Sequence, residues 1–325
     1  MAGVSIATVS RVINGTAPVA PETVAQVQAA IAELSYRPHS AARMLASRKT
    51  DTIGLLFAQI SGDFFSPLLR GIEAEARENG YSLLVYATQG SNTTHTVRPQ
   101  PLGEHNTDGV LVFVDGVPEP ELVRFHQIGF PVVLIHRSSP AGLDIPCVTI
   151  ENKQGACELV DHLIEVHGYR RIAFLAGAEG HEDSYWREQG YRESLAAHGI
   201  PFDPALAAVG GFDREIAQRA IENWLLDGVQ FDAVFAGDDE SAIGVLNALA
   251  QAGKKVPQDV AVVGFDDTYL SAYLIPPLTT VRVPIEEVGQ VAIRQLVRRI
   301  HGEPAEHLVL LPTELVIRQS CGCSY

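Results

Sequence analysis

From Thr52 onward, short apolar runs alternate with stretches whose apolar residues recur at helical spacing. A short apolar run bounded by turn residues is the pattern of a strand buried on both faces. The runs predict strands over Thr52–Phe57, Ser82–Ala87, Val110–Val114 and Val132–Ile135, with a helix over Phe65–Asn79 closed by Gly80. A second series begins near Asn152. It predicts strands over Arg171–Ala176, Ala233–Ala236 and Val260–Phe265, and helices over Tyr185–His198, Glu215–Leu226 and Glu240–Ala252. A last helix, about Ile285–His301, and a last strand, Glu314–Ile317, complete the chain. This β-α-β order implies parallel sheets with helices on both faces, and two series imply two α/β lobes of similar build. One stretch breaks the rhythm. Gly90–Asn106 contains Pro99, Pro101 and Gly103, which oppose helix, and it predicts an irregular loop.

The first fifty residues follow another pattern. Ser5 is placed to cap a short helix behind the turn residue Gly3. Ala7, Arg11 and Asn14 share one face of that helix, while Val9, Val12 and Ile13 point toward a small core. Pro18–Pro21 separates it from a second helix that starts at Pro21 behind a poor cap, Ala20, and runs to about Leu34. Val24, Val27, Ile31 and Leu34 form its apolar stripe. The pair reads as part of a helix-turn-helix whose recognition helix enters the major groove, with Arg11 long enough to reach guanine. The same spacing also suits an ordinary short amphipathic helix.

Charge supports the division. The chain of 325 residues carries a net charge of −15. Residues 1–50 hold five basic side chains (Arg11, Arg37, Arg43, Arg48, Lys49) against Glu22 and Glu33. A basic head on an acidic body fits a DNA-binding module on a sensor, with low non-specific affinity for DNA. No secretory leader and no long apolar run is present, so a cytoplasmic location is expected. Cys321-Gly322-Cys323 could hold a metal or a disulfide, but no Cys or His accompanies the pair at ligand spacing. The four cysteines (Cys147, Cys157, Cys321 and Cys323) are therefore read as reduced bystander thiols, and neither metal nor cofactor is expected. The phosphate-loop, dinucleotide, nucleophile-elbow and zincin motifs are absent, so the chain is not read as an enzyme.

Between two α/β lobes, ligands bind at the carboxyl ends of strands. The residues there are Phe64 and Phe65, His136 and Arg137, Asp238 and Asp239, and Asp266 and Asp267. Carboxylates, arginine and aromatic faces together suit a polar, ring-shaped ligand. Asp239 and Asp267 suit a cap on the next turn or helix better than a ligand contact, and Phe65 also suits the core. His181-Glu182-Asp183 suggests metal or acid/base chemistry but, beside a helix start, better suits a cap or the cleft mouth.

Val4-Ser5-Ile6-Ala7-Thr8-Val9-Ser10-Arg11-Val12-Ile13-Asn14-Gly15, Pro21-Glu22-Thr23 and Ala32-Glu33-Leu34-Ser35-Tyr36-Arg37-Pro38 resemble the lactose-repressor (LacI/GalR-type) family of transcriptional regulators. Val262-Val263-Gly264-Phe265-Asp266-Asp267 and Pro276-Pro277-Leu278-Thr279-Thr280-Val281 resemble the same family's effector domain. The resemblance implies an α/β, two-lobed, periplasmic-binding-protein-like effector domain behind a small all-α head. It divides the chain into a partial head (1–38), a hinge helix or linker (39–50) and an effector domain (51–325). Lobe 1 would comprise about 51–151 and 283–311, and lobe 2 about 152–282 and 312–325. The family's head has one further helix before the turn. Its absence here implies that Met1 is internal to a longer protein or that the chain is a fragment; a full-length head without it would fold poorly.

The resemblance assigns Ser5, Ile6, Ala7, Thr8, Arg11 and Asn14 to operator DNA and Leu45 to a minor-groove wedge. It assigns Phe64, Phe65, Arg187, Phe212, Asp238 and Asp266 to the effector, together with His136, a position that varies in the family. The implied protein is a homodimeric repressor of a near-palindromic operator, controlled by a small polar effector, a sugar at the family level. Gly90–Asn106 departs from the family pattern and would alter the dimer surface or the pocket mouth. The alternative is a stand-alone or periplasmic-type sugar-binding sensor without DNA binding.

Overall fold

The computed structural model describes residues 2–15, 17–34, 49–58, 63–88 and 101–324, so Leu45 and most of the Gly90–Asn106 stretch lie outside the described residues. It contains two compact units, Met1–Thr50 and Asp51–Tyr325.

In the first unit, α1 spans Ile6–Asn14 and α2 spans Pro21–Glu33. The Ser5 hydroxyl accepts the Thr8 N–H at 3.2 Å, and Gly15 ends α1 in the left-handed conformation. Ala20 provides no side-chain cap for α2. Val9, Val12, Ile13, Val24 and Ile31 are half-buried around Val27. Leu34 departs from the expected stripe: it falls just past the helix and is 64% exposed.

In the body, the first sheet is six-stranded and parallel, in the order β2 (Ser82–Ala87), β1 (Thr52–Phe57), β3 (Gly109–Phe113), β4 (Val132–Ile135), β5 (Cys147–Ile150), β11 (Leu308–Leu311). The helices α3 (Phe65–Glu78), α4 (Glu119–Gln127) and α9 (Ile285–Ile300) belong to this lobe. The second sheet is four-stranded and parallel: β7 (Ala207–Val209), β6 (Ile172–Ala176), β8 (Ala233–Ala236), β9 (Ala261–Val263). It carries α5 (Asn152–Glu165), α6 (Glu182–Ala197), α7 (Arg214–Leu226) and α8 (Asp239–Gln251). The chain passes between the lobes after β5, after β10 (Thr280–Arg282) and after β11. β10 pairs antiparallel with β12 (Glu314–Val316). One buried apolar cluster runs from Ile53 and Leu55 through Phe174 and Phe235 to Val281 and Val288 and joins the lobes, while a second, around Trp224 and Val262, lies within lobe 2 and a third, around Phe125 and Leu134, within lobe 1.

The apolar pattern misses β5, β7, β10 and β11. Each has only three or four residues, and β7, β10 and β11 pair with strands more than thirty residues away, while β5 follows β4 closely but lies between it and the distant β11. Pro101–Asn106, the described end of the stretch expected to be irregular, forms a turn in which the Gly103 N–H donates to Asn106 Oδ1.

The reading of Cys321 and Cys323 as thiols without histidine neighbours is corrected by the fold. His162 and His167 lie beside them, brought there by a long-range return of the chain that spacing in sequence cannot reveal.

Candidate functional site

Of the six described residues other than glycine with positive φ, five lie beyond the carboxyl ends of strands, and the sixth, Asp51, precedes β1. Val114 and His136 directly follow β3 and β4, and both have positive φ. Phe212, Asp266 and Asp267 lie just beyond β7 and β9 with φ of 56°, 112° and 51°. Positive φ in a residue other than glycine costs about 1–3 kcal/mol and persists only where surrounding contacts fix it. Five such residues face the region between the two sheets.

Arg187, on α6, is at the centre and is only 3% exposed. Its Nε donates to Asn152 Oδ1 at 2.9 Å, one Nη to the Gly237 carbonyl at 2.6 Å and the other to Asp266 Oδ1 at 3.1 Å. Its guanidinium lies over the Phe265 ring at 3.9 Å and faces Phe212 at 5.5 Å. Gly177 and Gly237 make room for Phe212: a Cβ at Gly177 would lie 2.4 Å from that ring.

A buried chain of polar groups leads to the other lobe. Asn152 Nδ2 donates to Asp183 Oδ1 at 2.8 Å, and Asp183 Oδ2 lies 2.8 Å from His136 Nδ1. Burial alone would raise the Asp183 carboxyl, but His136, its hydrogen bond and Arg187 hold it well below the ordinary range. Nearby, the Ser138 N–H donates to Glu182 at 2.7 Å. His136 is 1% exposed, and among the described residues its Nε2 and the Nδ1 of His181 are buried without a partner. Buried polar atoms are seldom left so, because each costs about 1–3 kcal/mol.

Burial pushes the Asp238 carboxyl up and the Asp266 carboxyl well above its usual value, against the opposing pull of Arg187. A cavity of about 650 Å³ is bounded by Phe64, Asp266, Thr268 and Arg282 and meets the Arg187 centre only through Phe64 and Asp266; another of about 220 Å³ is bounded by Asp115, His136 and Glu182. The larger has the size of a small-molecule site, but Arg187, Phe212, His136 and Asp238 do not line it.

The structure thus gathers Arg187, Asp266, Phe212, His136 and Asp238 in one region. Phe64 and Phe65 adjoin it, edge to face at 5.6 Å, with Phe64 6.0 Å from His136. Phe65 packs equally on Phe57 and Phe113. Asp238 has a structural duty as well: its Oδ1 caps α8 by accepting the Ser241 N–H at 2.9 Å. Asp239 and Asp267 do not cap. Asp239 accepts from Thr268, Ser271 and Thr280, and burial pushes its pKa up to about 7. Asp267 accepts from Arg282 at 2.8 Å and Arg318 at 2.6 Å. Arg137 donates to the Val117 carbonyl. The side chain of His181 does not cap α6, because it is turned against the Phe212 ring. Asn152 enters the sequence reading only as the start of the second series, and Asp183 only within His181-Glu182-Asp183 at a helix cap or the cleft mouth. Asn152 has a signal, since it follows β5, but that strand is not visible in the apolar pattern.

In the head, Ile6 is 90% exposed, Ser5, Ala7 and Arg11 are also exposed, and Thr8 is half-buried with its hydroxyl 2.9 Å from Ser5 Oγ. Asn14 is the last residue of α1.

A two-lobed α/β body with a buried polar centre, carried on one chain with a helix-turn-helix pair, defines a ligand-responsive DNA-binding protein. Known proteins agree. Residues 1–39 match the bacterial regulatory proteins of the lacI family, and residues 160–321 match a periplasmic binding protein-like domain. The transcriptional regulator CelR of Thermobifida fusca is 36% identical over 329 residues, covering 98% of this chain and 96% of its own. The structure of a CelR–cellobiose complex superposes with a TM-score of 0.73 at 33% identity, covering 98% of this chain and 97% of that one. The lac repressor dimer bound to operator and an anti-inducer superposes with a TM-score of 0.84 at 26% identity, covering 98% and 96%. The chain belongs to the LacI family of bacterial transcriptional regulators.

Proposed function

We propose that a small polar ligand of the sugar class binds between the lobes and controls the affinity of a homodimer for a near-palindromic operator, most simply as a repressor. The observation that carries this is the Arg187 centre. A guanidinium fixed by Asn152 and Gly237 and stacked on Phe265 holds Asp266, and through Asn152 and Asp183 it is linked to His136, whose Nε2 has no partner among the described residues. Sugar hydroxyls both donate and accept, so they can satisfy Asp266, Asp238, His136 and His181 together. Phe64 and Phe212 supply faces for the ring, and Phe65 supports Phe64. Asp183 takes the Nδ1 hydrogen bond of His136 and leaves Nε2 for the ligand. Ser5, Ile6, Ala7, Thr8, Arg11 and Asn14 meet the operator, with Leu45 as a wedge. Exposed apolar side chains on edge strand β2 (Leu84, Val85, Tyr86) and around Tyr269, Tyr273 and Ile275 offer surface for the dimer. The protein acts in the cytoplasm without catalysing a reaction; the relatives described above are regulators.

Calorimetry with cellobiose and a panel of monosaccharides, followed by gel shifts on a site selected from random DNA, tests the proposal. One sugar should bind the wild type and shift its operator affinity. Asp266→Asn should weaken that binding by about 1.5–3 kcal/mol, the value of a hydrogen bond to a charged group. Equal sugar affinity in the two proteins would reject the site, and failure to select any DNA site would reject the operator.

A further inference from the structure

The end of the chain returns to the far end of α5. His162 lies in the last turn of that helix and His167 just beyond it, facing Cys321 and Cys323. His162 Nε2 is 3.6 Å from both sulfurs, and His167 Nε2 is 3.4 Å from the Cys323 sulfur. One ligand atom from each of the four residues lies within 4.8 Å of all the others. Zinc bonds of about 2.3 Å to sulfur and about 2.0–2.1 Å to nitrogen, at tetrahedral angles, hold sulfur and nitrogen about 3.5 Å apart. Three of the four sulfur–nitrogen separations match that spacing, and all four ligand atoms lie within 4.8 Å of one another.

The Cys323 sulfur faces two imidazole nitrogens, and the Cys321 sulfur faces His162 and the Arg318 carbonyl. Thiol and imidazole protons suffice to pair these atoms, so it is the donor set and its spacing that point to a metal. The surroundings are also built. The Thr279 hydroxyl donates to the Cys321 sulfur at 3.1 Å, and Tyr169 stacks on His167 at 5.4 Å while its hydroxyl donates to the Cys321 carbonyl. Such outer contacts orient metal ligands. Gly322 between the cysteines has φ of 114°, and a Cβ there would lie 3.2 Å from the His167 ring.

We propose that His162, His167, Cys321 and Cys323 form a closed, structural zinc site that clamps the C-terminal segment to α5. The helix fixed at this end begins with Asn152, the residue that holds Arg187.

The full chain, purified without oxidant and stripped of metal by chelator, should take up one Co²⁺ per chain. The bound cobalt should show tetrahedral ligand-field bands and a thiolate charge-transfer band, and Zn²⁺ should displace it and raise the melting temperature. Cys323→Ser and His167→Ala should each weaken binding at least about tenfold, since losing even an outer-shell partner costs that much. Cys323→Ser should also diminish the thiolate band, while Cys157→Ser should leave the spectrum unchanged. The proposal is overturned by reduced protein that gives no thiolate band, by a Cys323→Ser chain with the wild-type spectrum, or by a Cys321–Cys323 disulfide in the freshly purified protein.

Discussion

Asp183 shows how one residue serves both the fold and the site. Its two oxygens join Asn152, from the helix that opens the second lobe, to His136, from the end of a strand in the first. Because its folded-state pKa lies well below the unfolded value of about 3.9, the folded state releases this proton more readily. The stability it contributes is therefore complete above about pH 5 and is lost progressively as the pH falls through about 4 and below. Asp183→Asn removes the contribution. The stability difference between wild type and variant should be constant from neutral pH to about pH 5, then shrink toward pH 3. Urea melts at stepped pH measure it; a difference that stays constant to pH 3 would show that the carboxylate charge does not matter. Asp239 and Asp266 have the opposite sign. Their raised values favour the folded state at low pH and withdraw that support as pH rises, so the comparison must be made within one pair of proteins.

At the scale of elements, the helices pack in pairs through glycine. A Cβ at Gly71 on α3 would lie 2.0 Å from the Glu286 carbonyl oxygen on α9, and one at Gly190 on α6 would lie 2.3 Å from the Lys153 carbonyl on α5. Alanine ordinarily stabilises a helix interior by about 0.5–1 kcal/mol over glycine. At Gly71 the methyl meets backbone that cannot rotate away, and overpacking costs about 1–3 kcal/mol. Gly71→Ala should thus lower the melting temperature by several degrees; a rise would mean that α3 and α9 separate without cost. Such contacts explain which parts of the molecule the sequence discloses. β1, β3 and α3 are legible because their apolar residues follow a local period. β5 and β11 are not: each is four residues long, and they pair across 160 residues of chain. Asp266 and Arg187 are legible because a motif surrounds each. Asn152, the bridge from Asp183 to His136 and the histidines beside Cys321 are not, since only the tertiary fold gives them partners.

For the molecule as a whole, the crossings between lobes matter most, because a ligand between the lobes can act at a distance only by changing their geometry. Asp267, adjacent to Asp266, holds both returning crossings. It accepts from Arg282 at the end of β10 and from Arg318 beyond β12, and Arg282 in turn donates to Glu314 of β12. Asp266 and Asp267 both have positive φ, so a shift of one peptide is carried directly to the tie. Asp267→Ala should release the tie while Arg318 keeps its bond to the Leu278 carbonyl. Because Asp266 keeps its partners, sugar affinity should change less than about tenfold. The ratio of operator affinities without and with sugar reports a coupling free energy, typically about 1–3 kcal/mol in such proteins. In the Asp267→Ala protein that ratio should fall toward one. Gel-shift titrations at saturating sugar and without it give the ratio directly. A variant that binds sugar and retains the wild-type ratio would show that Asp267 only stabilises the body, and that coupling runs through another part of the crossings.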